Sequence, residues 1–90
     1  MIQTIPNSWA KLDKYNYDLF NPAPDYYRIW IPVGSPEDVI IADISTVITS
    51  NDGHIYLEGH YLVFEKIDVK KQDEDTWGIL ITAHKFRKGE

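Results

Sequence analysis

The sequence predicts one mainly β domain of α+β type. A short N-terminal helix packs on a strongly curved antiparallel meander of about four or five strands. Three observations carry this. Apolar residues recur with period two from Tyr26 onward, as a sheet with a buried face requires. Turn formers separate the runs, at Gly34-Ser35-Pro36 and again at Asn51-Asp52-Gly53. The chain has 90 residues, enough for a single domain with a thin core.

Residues 1–25 hold the helix and its connector. Asn7 or Ser8 supplies the cap, because a side-chain oxygen there accepts first-turn N–H bonds. Trp9, Leu12, Asn16, Leu19 and Phe20 follow helical spacing over Ser8 to Phe20. Tyr15, Asn16, Tyr17 and Asp18 are poor helix formers and weaken this reading. Pro22 and Pro24 then stop the helix.

Residues 26–86 form the sheet. The first strand sends Tyr27, Ile29, Ile31 and Val33 to one face and Tyr26, Arg28 and Trp30 to the other. A second strand, Val39 to Thr49, directs Ile40, Ala42, Ile44 and Ile48 inward. Asn51-Asp52-Gly53 reads as a hairpin turn, since Gly accepts the positive φ such turns need. A long third strand, His54 to Val69, directs Ile55, Leu57, Tyr61, Val63 and Ile67 inward. Lys70 to Asp75 is a polar loop, and the strand Thr76 to Phe86 buries Trp77, Ile79, Ile81 and Ala83. Hairpins centred on Asp52-Gly53 and Gln72 bring inward sets opposite one another. Strands this long need bends or bulges, so the sheet is either an open curl or a small barrel of SH3-like or OB-like type. Residues 87–90 form a short basic tail.

The opposite parity is also apolar: Tyr26, Trp30, Ile41, Tyr56, Leu62 and Phe64 all fall there. Val39 and Leu80 fall there as well. Such a face, exposed whole, exceeds the few hundred Å² a monomer tolerates. A helix of 13 residues spans only about 20 Å and leaves part of it bare. A second copy of the chain or another protein would cover the remainder.

Composition narrows the function classes. The chain has no cysteine, which removes disulfides, thiolate nucleophiles and Cys-ligated zinc. The first seven residues lack the basic and apolar regions of a signal peptide, and no apolar run can span a bilayer. The expected setting is the cytoplasm, with no membrane partner. A net charge of −5 disfavours attraction to phosphate backbones, so nucleic acid is the lesser expectation.

No catalytic set emerges. In the register above, His60 faces His84, with Ser45 and Asp43 nearby, and a metal or Ser/His/Asp site would require that register. His54 and His60 stand six residues apart on one strand, about 20 Å, and cannot share an ion. Asp73, Glu74 and Asp75 lie in a polar loop without the spacing of a calcium site. Lys85, Arg87 and Lys88 form a small basic group next to Phe86. The reading is therefore non-enzymatic, with no metal and no cofactor.

Tyr26, Arg28 and Trp30 combine the residue types that dominate interface hot spots, on what would be an edge strand open to β-augmentation. With Tyr56 and Phe64 on the aromatic sheet face, they are the expected binding residues. The expected function is a protein-binding module acting on another protein or on itself as a homodimer. An inhibitor or immunity-type accessory protein of the phage or mobile-element kind is its specific form. The alternative is a single-stranded nucleic-acid-binding β-barrel, since aromatics on a β platform beside basic residues hold single strands.

Overall fold

A computed structural model of the chain describes residues 9–34 and 39–87. The cap expected at Asn7 or Ser8, the turn at Ser35-Pro36, the side chains of Val39 and Ile40, and Lys88 lie outside the described residues.

The elements run β1 (Ala10–Lys11), β2 (Asp18–Ala23), β3 (Tyr26–Val33), α1 (Val39–Ser50), β4 (His54–Leu57), β5 (His60–Lys71) and β6 (Trp77–Lys85). The strands form one six-stranded sheet in the order β1-β4-β5-β6-β3-β2. All pairs are antiparallel except β1 with β4, so the sheet is mixed. Its two ends, β1 and β2, do not meet, so the sheet is not closed into the SH3-like or OB-like barrel expected as one form.

The helix lies elsewhere than the sequence predicts. Within Ser8 to Phe20, the described residues give β1, a turn closed by the Tyr15 N–H on the Leu12 carbonyl, and the start of β2. Tyr15 to Asp18 favour helix weakly, and strand pairing with β4 and β3 satisfies this backbone instead. The expected strand Val39 to Thr49 is α1. Ile41, Ile44, Val47 and Ile48 fall on one helical stripe, and Ile44 and Ile48 are buried against the sheet. Asn51-Asp52-Gly53 is a helix stop and not a hairpin. The Gly53 N–H reaches the Ile48 carbonyl (2.9 Å) and the Asp52 N–H the Thr49 carbonyl (3.1 Å), with φ of 55° at Asp52 and 79° at Gly53. These are the two bonds of a Schellman cap, and the Asn51 amide adds a bond to the Val47 carbonyl (2.7 Å).

The expected single strand His54–Val69 is two strands, folded at Glu58-Gly59. Both turn residues have positive φ, 50° and 82°, the geometry of a tight hairpin matched to strand twist. Crossing it reverses the parity. Leu62 is buried, Phe64 packs on the core, and Tyr61 turns out to solvent. A bulge between Phe64 and Lys66 returns Ile67 to the core side. The β5–β6 hairpin pairs Ile67 with Ile81 and Lys71 with Trp77, a register centred two residues beyond Gln72.

Strands β3 and β6 follow the predicted parity. Ile29, Ile31 and Val33 face Ile81, Ile79 and Trp77, and with Ala83 they build the core under α1. Tyr27 and Leu19 border it. The helix therefore covers one face of the sheet. Among the described residues, no helix is long and apolar enough to cross a membrane.

Candidate functional site: the sheet face opposite α1 and its end cavity

The register places Trp30, Arg28 and Tyr26 together on one face, as their parity predicts, but the helix packs on the other face and not on theirs as expected. Their strand is not an edge, however: β3 lies between β6 and β2. The outer strand is β2, which carries Pro22 and a bulge between Phe20 and Ala23, two features that discourage pairing with another chain. On β5, residues beyond Val63 extend past β4, and this stretch is charged by Lys66, Asp68, Lys70 and Lys71.

Trp30 is half-buried, its ring carbons set over Gly78 of β6 where a side chain would otherwise stand. Tyr26 is exposed and sits opposite His84. His84 donates from Nδ1 to Glu65 Oε2 at 2.7 Å, across the bulge. Arg28 is exposed between Thr82 and Phe20.

Tyr56 stays on this face, but Phe64 does not. The parity reversal at Glu58-Gly59 turns Phe64 toward α1, where it lines a crevice with Ile48 and Ile67. In its place stands an aromatic cluster that the sequence reading did not assemble. Trp9 meets Tyr61 (ring centroids 4.9 Å), His54 (5.3 Å) and Phe86 (5.4 Å), all edge to face, and Tyr56 lies 4.9 Å from Tyr61. β1 positions Trp9, because Ala10 pairs with Ile55 and faces the core, which sends its neighbour to the other side. The His54 ring is oriented by donating to the Asn51 carbonyl in the helix stop (3.1 Å).

Where this cluster reaches the end of the sheet, a cavity of about 460 Å³ opens. Trp9, Tyr61 and Phe86 wall it from the open face, and Tyr27, His60 and Lys85 from the helix face. Tyr27 and His60 are in ring contact at 4.9 Å. The turn that bears Gly59 is tied down by Tyr17, whose hydroxyl donates to Glu58 Oε2 at 2.7 Å. That bond to a carboxylate holds the Tyr17 phenol up at about 12.

The grouping of His60, His84, Ser45 and Asp43 does not form. His84 faces Val63 and His60 faces Leu57, on opposite faces of the sheet, while Ser45 and Asp43 belong to α1. Among the described residues, no three His, Asp or Glu side chains converge as metal ligands. Asp73, in the predicted polar loop, accepts the Asp75 N–H, which lowers its carboxyl below the ordinary range.

Among the described residues, fold and site define one sheet packed on one helix, with an aromatic open face and a cavity at the sheet end. No family model, curated protein or solved structure matches the chain.

Proposed function

We propose that this chain is a non-catalytic protein-binding module that docks through the face of its sheet opposite α1. The observation that carries the reading is the cluster of Trp9, His54, Tyr56, Tyr61 and Phe86 on a face that no described helix or strand covers. Aromatic side chains held by their neighbours lose little entropy on docking, and they dominate interface energetics. The exposure of Tyr61, Tyr26 and Phe20, at 47, 42 and 51 %, supports the same face.

The face is favoured over an edge, because β2 and the free stretch of β5 carry proline, a bulge and charge. The partner is another protein or a second copy of the chain. An inhibitor-type role needs only a surface that covers a partner's own site, and such a role, in the cytoplasm, is the form this proposal takes.

The test is affinity capture from source-cell lysate with and without nuclease, beside sedimentation of the purified chain. Wild type is compared with a variant in which Tyr56 and Tyr61 are both replaced by Ser. A partner or dimer that resists nuclease and is lost in the variant supports the reading. Binding that the variant retains overturns the assigned face. Capture that disappears with nuclease replaces the protein partner with single-stranded nucleic acid.

A further inference from the structure

We propose that the cavity at the sheet end is a binding site for a small planar aromatic acid. The inference stands on the cavity's lining and survives even if the open face binds no protein.

Size comes first. At about 460 Å³ the cavity lies within the range of small-molecule sites, roughly 300–1,000 Å³. Shape and polarity follow from its walls. Five of its eight described lining residues carry aromatic rings, Trp9, Tyr27, His60, Tyr61 and Phe86, and they approach from both faces of the sheet. A flat ring between such walls gains edge-to-face and stacked contacts that an aliphatic ligand lacks.

Charge selects the second feature of the ligand. The chain carries 14 acidic residues against nine Lys and Arg, yet none of the described lining residues is acidic and one is Lys85. The nearest carboxylate along the chain, Glu58 beside Gly59, accepts the Tyr17 hydroxyl and is not among the described lining residues. A cationic aromatic ligand would meet Lys85 as a like charge. An anionic one gains the ammonium, whose attraction is moderated by solvent because Lys85 is exposed.

The backbone holds this end of the sheet in place. The Lys85 N–H donates to the Asp25 carbonyl (2.7 Å) and the Phe86 N–H to the Tyr61 carbonyl (2.8 Å). The walls from β5 and β6 are therefore joined before any ligand arrives, which limits the ordering cost of binding.

Three probes that share the naphthyl ring and differ in charge test the proposal on the full chain by amide chemical shifts: 2-naphthoate, 2-naphthylmethanol and 2-naphthylmethylammonium. The expected result is saturable shifts at Gly59, Leu62, Lys85 and Phe86, with the carboxylate tightest and the ammonium weakest. Lys85→Gln, at an exposed side chain, should keep the spectrum's dispersion and weaken naphthoate roughly two- to fivefold while leaving the alcohol unchanged. Shifts absent at these amides, or located elsewhere, overturn the site. Equal binding of all three probes, or no loss of naphthoate in Lys85→Gln, overturns the preference for an acid.

Discussion

The indole of Trp30 occupies the space above Gly78 that a side chain would fill. A Cβ built at Gly78 would fall far inside contact distance of the indole Cζ2 and Cη2 atoms. The two residues lie on neighbouring strands, with Trp30 paired to Leu80 and Gly78 to Pro32. An aromatic ring over a strand glycine restores the packing that the missing side chain gives up.

Gly78→Ala should therefore destabilise the fold by about 1–3 kcal/mol, the cost of overpacking a filled site. The loss should shrink in the background of Trp30→Leu, since the two positions share one volume. Urea denaturation of the four proteins of this cycle measures it. Additive losses would mean that Trp30 and Gly78 do not share that space.

Helix α1 can be distinguished from the strand that its composition suggests. Ile44 is fully buried and Thr46 exposed, two residues apart. Ile44→Ala should cost about 2–5 kcal/mol through lost burial and the cavity left behind. Thr46→Ala should be neutral or slightly stabilising, because Ala is the better helix former. A strand would place both side chains on the same face. Comparable large losses at both positions, by the same denaturation measurement, would contradict the helix.

The Glu58-Gly59 turn sets which face the residues of β5 occupy as far as the bulge after Phe64. Gly59 has φ of 82° and open space around the position of a Cβ, so Gly59→Ala is strained by its backbone alone. A loss of about 1–2 kcal/mol in denaturation is expected, the range for a non-glycine residue held left-handed. Gly53→Ala meets the same strain at the helix stop and should fall in the same range.

Tyr17 should titrate near 12 when followed by phenolate absorbance. Its bond to Glu58 favours the neutral phenol, so the folded value exceeds the unfolded one of 10.0. The stabilisation is complete below the unfolded value and is lost as pH rises through the folded one. Glu58→Gln should bring this phenol back toward its ordinary value, and Tyr17→Phe should remove the step near 12. Asp73 carries the opposite sign: its lowered carboxyl stabilises above its ordinary value, and that contribution is lost as the solution is acidified through the folded one.

Most of the central sheet is legible in the residues themselves. In β3 and β6 strict alternation leaves one way to bury Ile29, Ile31, Ile79 and Ile81, and those strands pair as their parity demands. The open face was legible in part: Tyr26, Arg28, Trp30 and Tyr56 share it, whereas Phe64 does not. Glu58-Gly59 was the available signal, a turn pair hidden because Glu seldom takes the left-handed conformation that it holds here.

The sequence by itself determined the predominance of strand, the inward sets of β3 and β6 and the polar β5–β6 loop, because each rests on contacts local to a few residues. Tertiary structure alone decided which of two short apolar runs became the helix. Ile41, Ile44 and Ile48 suit a helical stripe as well as β-branched residues suit a strand, and only burial against an already paired sheet separates the two. The same packing brought Trp9 to Tyr61 and Phe86, residues more than fifty positions away in the chain, through pairings that no local pattern encodes.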